Sequence, residues 1–260
     1  MKKHLLILIF LVISTVTVRA QTFDNLDQAF LSPAKVTSLF ITKYDPKMKH
    51  LPFQLGTLKN LKELKIACLE NLEDLPSQIG KLRMLEKIII DNGNGCQMNV
   101  SIPTSIGELK NLKVLKLYGA LDPREIGSRK PIPQNKIKRL PKTIVNLENL
   151  VELDLGRNGL RDVPPEIACL RKLKRLALDF NNIHNLPSFV GSLKNLQELS
   201  VSSNGGVELP QSLTKLKGLK VFMGNNYLKL HDQEKLRYLF PEINFYFENE
   251  FDDAAANEEP

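Results

Sequence analysis

Cysteine and histidine are too scarce in this sequence to build the usual catalytic or metal-binding centres. The 260 residues contain three cysteines and four histidines. The histidines beyond residue 20 are His50, His184 and His231. None of these histidines has a cysteine, serine or aspartate partner at the spacing of a triad or a metal site. The stretch NGNG at 92–95 lacks the lysine and following helix of a phosphate-binding loop. We therefore predict no catalytic residues, no metal and no cofactor, and a protein that is not an enzyme.

A block of basic residues, which nucleic-acid binders use, is also missing. The formal net charge is +7, but no lysine or arginine follows Arg237, and the residues beyond it are rich in aspartate and glutamate. A weakly basic body with an acidic tail gives no track for a phosphate backbone. We expect no nucleic-acid partner.

The first 20 residues have the layout of a cleavable secretory signal. Lys2 and Lys3 precede an apolar stretch from Leu5 to Val18, and Val18 and Ala20 supply small residues at positions −3 and −1 of a cleavage site after Ala20. The alternative is a transmembrane anchor, but the 14 residues of this stretch are fewer than the roughly 20 that span a bilayer. We expect cleavage near Ala20, export to the periplasm, cell surface or extracellular space, and no membrane span in the mature chain.

What the sequence does contain is a repeated pair, an apolar residue followed by proline. The pairs are Leu51-Pro52, Leu75-Pro76, Ile102-Pro103, Leu140-Pro141, Val163-Pro164, Leu186-Pro187 and Leu209-Pro210. The last three spacings are each 23 residues, and the earlier, larger ones equal this unit plus insertions. A fixed period of this length indicates a tandem array of structural repeats.

The spacing of apolar residues changes within each unit. From Leu186 the steps are four, three, three, three and then two, through Val190, Leu193, Leu196, Leu199 and Val201. Steps of three and four indicate a helical or 3-10 turn, and a step of two indicates a strand. One such coil cannot bury its apolar face alone, so we expect stacked coils whose strands form a parallel sheet.

The strand region carries the motif LxxLxLxxN, at residues 150–158 and 173–181. With returns of the form LPxxIGxLxxLxxL, the pattern resembles the leucine-rich repeat family over about residues 36–230. It is most similar to the 23-residue subclass with plant-type and Ras-adaptor-type members, here in a secreted bacterial type. The resemblance implies an α/β repeat fold, a curved leucine-rich-repeat solenoid. Its parallel sheet is concave and binds partners, its convex returns are short helical or 3-10 turns, and caps close both ends.

Asparagine recurs where each strand turns away. An inward amide at this position can satisfy backbone groups that the turn leaves unpaired. We predict structural roles for Asn135, Asn158, Asn181 and Asn204. Glu70 and Gln97 occupy the corresponding position in the first two full units, so an amide ladder is not expected there.

The predicted organisation has five segments. They are a signal peptide (1–20), an N-terminal cap with a first irregular strand (21–50), leucine-rich repeats (51–230, with an insertion at 118–134), a C-terminal cap (231–248) and an acidic disordered tail (249–260). A short amphipathic helix with Phe23, Leu26 and Phe30 would cover the first coil. A helix from about Asp232 to Leu239, and a strand carrying apolar residues on one face, would cover the last.

Two of the three cysteines fall near neighbouring predicted strands. Cys68 ends one strand and Cys96 lies just after the next, so that adjacent coils would bring them close. A Cys68–Cys96 disulfide is our hypothesis for an exported chain, and three unpaired thiols are the alternative. Cys169 is expected to be a surface thiol.

Side chains between the buried strand residues are expected on the concave face. The middle column is Phe40, Lys65, Ile89, Lys116, Asp154, Ala177, Ser200 and Met223. The column two residues later is Thr42, Ala67, Asp91, Tyr118, Gly156, Asp179, Ser202 and Asn225. Two aspartates interrupt any basic track, and Tyr118 and Phe180 are the clear aromatic candidates in the middle of the face. This mixed surface favours a protein or peptide partner.

The insertion at 118–134 adds a basic loop to one rim of this face. Insertions in repeat arrays often mark the binding side, although a long surface loop is also tolerated without any function. The predicted partner-binding residues are Lys116, Tyr118, Arg124, Arg129, Lys130, Asp154, Asp179 and Phe180. We predict a non-catalytic exported scaffold for protein–protein recognition, and binding of a glycan or cell-envelope polymer is the alternative.

Overall fold

The structure, a computed structural model, describes residues 21–42, 48–67, 69, 71–92, 99–120 and 139–247. Several predictions fall outside these residues. They concern the signal peptide, the acidic tail, most of the insertion and the residues Cys68, Cys96, Arg124, Arg129, Lys130 and Asn135. These predictions remain predictions.

Within the described residues, ten strands form one parallel sheet in chain order. They are β1 (Gln21–Phe23), β2 (Val36–Ile41), β3 (Glu63–Ala67), β4 (Lys87–Asp91), β5 (Val114–Tyr118), β6 (Glu152–Asp154), β7 (Arg175–Ala177), β8 (Glu198–Ser200), β9 (Lys220–Phe222) and β10 (Asn244–Tyr246). Because every strand pairs with its neighbours in sequence, each coil lies directly beside the next. This confirms the predicted solenoid architecture.

The chain returns between the strands through short 3-10 turns. Those with five residues are Phe53–Thr57, Ser77–Lys81, Thr104–Glu108, Lys142–Asn146, Pro165–Cys169, Ser188–Ser192 and Gln211–Lys215. Each follows the proline of an apolar-proline pair; for example, Pro52 has φ −65° and precedes the first of them. Proline suits this position because its fixed φ matches the entry to a helical turn, and no hydrogen bond needs its missing N–H.

One apolar core runs through all the coils. Leu153, Leu176 and Leu199 stand in register on neighbouring strands, and each is buried. The apolar anchors of the return are buried as well, namely Leu186, Val190, Leu193 and Leu196. Burial of each such side chain contributes about 1.5–3 kcal/mol to stability, so most of the folding free energy comes from contacts between coils.

Glycine is required where two returns pass closest to each other. A Cβ atom at Gly107 would lie 2.4 Å from the Thr143 carbonyl oxygen. One at Gly191 would lie 2.3 Å from the Ser212 carbonyl oxygen. Any larger residue would push these coils apart, which explains why glycine recurs in the return motif.

The N-terminal end differs in part from the prediction. Residues 21–23 form β1, which pairs with β2, so Phe23 belongs to a strand and not to the predicted helix. The helix α1 spans Leu26–Leu31, and the side chain of Asn25 accepts a hydrogen bond from the Asp27 N–H at its start. This N-cap ends the helix on its N-terminal side, which explains why it does not extend back to Phe23.

At the C-terminal end a helix and a strand cover the last coil. The helix α2 spans Leu230–Leu239, and Asp232 accepts a hydrogen bond from the Lys229 N–H at its start. Ile243 is buried, and Phe245 and Phe247 pack against the core. Among the described residues, no helix is long and apolar enough to cross a bilayer.

The last full coil corrects one residue in each of the two predicted columns. Ser200 pairs with Phe222, not with Met223, which is 1% exposed and belongs to the core. Leu199 pairs with Val221, so this coil is 22 residues long. Extrapolating the 23-residue period displaced the prediction by one residue, which places Gly224, not Asn225, in the following column.

Replacing Leu176 with alanine should destabilise the protein by about 2–5 kcal/mol, because the side chain is 1% exposed between two coils. Urea unfolding followed by circular dichroism measures the change. Leu31→Ala is the control, since Leu31 is 84% exposed, and it should change stability by less than about 0.5 kcal/mol. Equal effects of the two substitutions would contradict the shared-core interpretation.

Candidate functional site

The strand face comprises the side chains of β2 to β10 that alternate with the buried strand residues. Its first column is Glu63, Lys87, Val114, Glu152, Arg175, Glu198, Lys220 and Asn244. Its middle column is Phe40, Lys65, Ile89, Lys116, Asp154, Ala177, Ser200, Phe222 and Tyr246. The parallel register thus gathers charged and apolar side chains from the nine strands β2 to β10 onto one surface.

Many charges on the strand face are paired within the chain. Lys87 lies 2.9 Å from Glu63, and Arg175 lies 2.9 Å from Glu198. The predicted partner-binding residue Lys116 contacts Glu152 at 2.6 Å. Partly exposed pairs of this kind add little stability, but they neutralise the surface locally.

The structure brings three of the predicted site residues together in one cluster. Tyr118, Asp154 and Asp179 occupy adjacent positions near the ends of β5, β6 and β7, and their charges influence one another. Gly156 makes room for the tyrosine ring, since a Cβ there would lie 2.8 Å from the Tyr118 Cδ2 atom. Arg157, which the sequence did not indicate, lies near this cluster, and its positive charge partly opposes the rise in the pKa of Tyr118.

Both aspartates of this cluster are held by backbone groups. The Asp154 carboxylate accepts a hydrogen bond from the Gly156 N–H at 2.8 Å. The Asp179 carboxylate accepts one from the Ser202 N–H at 2.8 Å and another from the Ser200 hydroxyl. Burial nevertheless dominates and raises the pKa of both carboxyl groups. Burial likewise raises the pKa of Tyr118.

The sequence predicted Phe180 in the middle of the strand face, but the structure places it elsewhere. It lies in the turn after β7, with φ 54° and 51% of its surface exposed. The residues at the equivalent turn positions, Arg157, Ser203 and Asn225, also have positive φ. Each of them immediately precedes a buried asparagine, so the left-handed conformation is part of the repeat.

The buried asparagines form a ladder of hydrogen bonds between coils. The Asn181 side chain donates to the carbonyl oxygens of Leu155 at 3.0 Å and Leu178 at 2.8 Å. Its oxygen accepts from the N–H groups of Asn158 at 2.9 Å and Leu160 at 3.0 Å. Each amide therefore serves backbone groups of two coils that the core would otherwise leave unsatisfied.

The ladder continues through Asn204 to Asn226, whose oxygen accepts a hydrogen bond from the Asn204 N–H at 2.8 Å. The sequence analysis missed Asn226 because the last full coil is one residue shorter than the others. The sequence does contain the signal, since Asn226 follows Met223 at the same three-residue offset as Asn204 follows Val201.

Apolar residues replace the amide in the first coils. The strand register places Leu69, not Glu70, at the position equivalent to Asn158, and Ala120 occupies it in a later coil. Both are buried. The equivalent position in the intervening coil is 93 rather than 97, and both of those residues lie outside the described part of the chain.

A second set of asparagines links the coils just before the strands. Each donates one hydrogen bond to a carbonyl oxygen of the preceding coil: Asn60 to Ala34, Asn111 to Arg83, Asn149 to Lys110 and Asn195 to Arg171. The sequence analysis missed these residues. Their signal is a repeated asparagine-leucine pair at the third anchor of the return.

The remaining candidate groups stand apart from the cluster. Cys169 is a free, exposed thiol. His50 faces Asp74 at 3.0 Å on the exposed surface, and His184 lies in a turn where it contacts the Asn182 carbonyl. In the described ranges, no three histidine, cysteine or acidic side chains are grouped as a metal site would require.

Replacing Asn181 with alanine should lower the free energy of unfolding by at least about 2 kcal/mol, because buried backbone groups of two coils lose their partner. Asn195→Ala is the matched control, since Asn195 makes one exposed bond, to Arg171. Its cost should be about 1 kcal/mol or less. Urea unfolding of both variants tests the ladder, and equal losses would refute its special role.

Replacing Asp179 with asparagine should alter how stability depends on pH. Because the pKa of Asp179 is raised above its ordinary value of 3.8, the folded chain binds more protons than the unfolded chain above that pH. The contribution of Asp179 to stability therefore falls as pH rises from 3.8 through the raised pKa. The stability of Asp179→Asn relative to the native chain should thus increase between about pH 3 and about pH 7. Urea unfolding at a series of pH values tests this expectation, which a constant difference would contradict.

A family profile described as a leucine-rich repeat region matches residues 131–239. No curated protein sequence matches the chain.

Three similar solved structures are the plant peptide hormone receptor RGFR1 in complex with RGF2, an internalin from Listeria monocytogenes and a leucine-rich repeat protein from Leptospira interrogans. The receptor is 21% identical with a TM-score of 0.47, and the match covers 89% of this chain but 38% of the receptor. For the internalin the identity is 17%, the TM-score 0.49 and the coverage 86% of this chain and 71% of the other. For the Leptospira protein these values are 21%, 0.24, 87% and 100%.

The repeat pattern is a feature of this chain itself. The 23-residue unit recurs along the sequence, the strands stack in chain order into one parallel sheet, and the family profile matches the C-terminal repeats. Residues 131–239 are thus a leucine-rich repeat region, and the described coils stack in the same repeat architecture on both sides of the insertion.

Proposed function

We propose that the chain is an exported, non-catalytic scaffold that binds a folded protein or a peptide through its strand face. Leucine-rich repeat proteins generally act as protein-interaction scaffolds. Export is supported by the arrangement of charged, apolar and small residues in 1–20. In this proposal the insertion at 118–134 forms the rim of the binding surface.

The composition of the strand face carries the proposal. Half-exposed apolar side chains lie between the internal ion pairs; they are Phe40, Ile89, Val114, Ala177 and Phe222. Protein interfaces combine a few apolar or aromatic anchors with a polar surround in this way. When a partner covers the paired charges, few unpaired ions lose their hydration, so the desolvation cost is small. Burial of each apolar side chain contributes favourably to the free energy of binding.

The same surface is poorly suited to an extended polyanion. A nucleic acid needs a continuous series of cations that can release its counterions. On the strand face, Lys87, Lys116 and Arg175 each contact a carboxylate of the chain itself. Their charge is therefore already compensated.

The strand face is also poorly suited to a long glycan. A polymer running across the coils would need aromatic rings repeated from strand to strand. Phe222 and Tyr246 are aromatic neighbours in the middle column, but they stack on each other with ring centroids 4.7 Å apart. This pair forms one local anchor at the C-terminal end of the face, as a protein partner would use.

A capture experiment followed by two matched substitutions tests the proposal. The tagged chain is used to capture partners from intact cells of the producing organism, and mass spectrometry identifies them. Ile89→Asp should weaken binding of the identified partner by about 10- to 100-fold, because Ile89 lies in the centre of the strand face. Met84→Asp is the control, since Met84 is an exposed apolar residue in the turn before β4.

Equal binding by the Ile89 and Met84 variants would exclude the strand face as the contact surface. Deleting residues 121–133 tests the rim loop separately. The proposal predicts weaker binding, and undiminished binding by the deletion variant would remove the loop from the interface.

A further inference from the structure

We propose that the turns following β7, β8 and β9 form a second binding site, which takes a neutral sugar residue. We call it the turn pocket. It is lined by Phe180, Asn182, Ser203, Gly205, Asn225 and Tyr227, together with the ladder asparagines behind them. It lies in the turns beyond the strand face and does not depend on the protein-binding surface proposed above.

The turn pocket spans three consecutive coils. Its volume is about 450 Å³, within the range of roughly 300–1,000 Å³ typical of small-molecule sites. The ladder fixes its floor, because Asn181 and Asn204 use their side chains to bind backbone groups of the neighbouring coils. Hydrogen bonds between the coils therefore hold the floor of the pocket in place.

Two exposed aromatic rings border the pocket. Tyr227 is 88% exposed and Phe180 is 51% exposed. Neither ring is needed to fill the core, which is closed beneath them by buried leucine, isoleucine and valine side chains. Aromatic faces in such positions offer a large apolar contact area to a ligand at a low entropic cost.

The backbone at Tyr227 is left-handed, a conformation that disfavours its own bulky side chain. Tyr227 has φ 56° and follows the ladder asparagine Asn226. At the equivalent position two other coils have Gly159, with φ 61°, and Gly205, with φ 79°, and a third has Asn182, which does not have a positive φ. A bulky side chain is unfavourable at such φ values, and strain of this kind concentrates at functional sites. The sequence thus retains an exposed ring where glycine would be more stable.

The polar groups of the pocket determine the class of ligand. Among the residues that the structure describes, the Asn182 amide and the Ser203 hydroxyl make no hydrogen bond within the chain. Both groups can donate and accept, which matches the hydroxyl groups of a sugar. No lysine, arginine, histidine, aspartate or glutamate lines the pocket, so a charged ligand would find no counter-charge.

A peptide strand fits the pocket less well than a sugar. Peptides that bind along a protein edge rely on free backbone donors and acceptors. Here the Phe180 N–H donates to the Ser202 carbonyl, and the Ser203 N–H donates to the Gly224 carbonyl. Because these groups are used between coils, the ligand must be held by ring stacking and by side-chain amide and hydroxyl groups.

Binding of neutral oligosaccharides by the purified full chain tests this proposal. An array of hexose and N-acetylhexosamine oligosaccharides selects a ligand, and calorimetry measures its dissociation constant. We expect Tyr227→Gly and Phe180→Asn each to weaken binding by about tenfold or more through loss of an aromatic face. Free peptides with aromatic side chains serve as competitors.

These substitutions separate binding from folding. Glycine occupies the Tyr227 position in two other coils, and asparagine occupies the Phe180 position as Asn225. Both replacements tolerate positive φ, so the Tm should be unchanged or higher while binding is lost. Ile89→Asp, on the strand face, should retain native sugar affinity, which distinguishes this site from the protein-binding surface.

Weakened sugar binding with an unchanged or raised Tm in both variants would support the proposal. The proposal is overturned if no oligosaccharide binds the native chain, if both variants bind as the native chain does, or if aromatic peptides displace the sugar and bind more tightly than it.

Discussion

A coil of this protein has no apolar core of its own, and it buries its leucines only by lying between two neighbours. The strands, the 3-10 returns and the ladder asparagines all serve this stacking, because each contributes contacts across the boundary between coils. The close approach at Gly107 and Gly191 shows how little space remains between returns. Each coil thus contributes to the core and also covers the apolar side chains of the next coil. The surface residues take no part in this stacking.

The two sets of asparagines divide the work of holding the coils in register. The buried ladder saturates backbone groups inside the turns, whereas the exposed set adds single bonds before the strands. Where the buried amide is replaced by Leu69 or Ala120, burial of an apolar side chain takes over the same position. The repeat therefore accepts either a hydrogen-bonding asparagine or a buried apolar residue at this position. The apolar residues occur in the half of the chain that carries the insertions.

Period and apolar spacing were enough to predict the solenoid, its buried residues and most of the strand face. They failed where the period itself changes. The 22-residue coil moved Met223 into the core and Phe222 onto the face, and it concealed Asn226. The strand β1 was missed because three residues carry too little pattern to distinguish a strand from a helix start. Arg157 and Tyr227 could not be recognised, since a positive φ at a residue other than glycine leaves no trace in the sequence.

The candidate site was less predictable than the fold. A repeat pattern identifies the residues that all coils share, whereas a binding surface is formed by residues that differ between coils. Strand alternation was enough to predict that Lys116 and Asp154 share a column. The ion pair of Lys116 with Glu152 and the electrostatic interaction of Tyr118 with Arg157 could not be predicted, because each joins side chains from different coils.

The ion pairs of the strand face also have a kinetic consequence. With Lys87, Lys116 and Arg175 each paired internally, this surface projects a weakened long-range field, so a partner would arrive largely by unsteered diffusion at rates of about 10⁵–10⁶ M⁻¹s⁻¹. Affinity would then be governed by residence time and would change little with ionic strength.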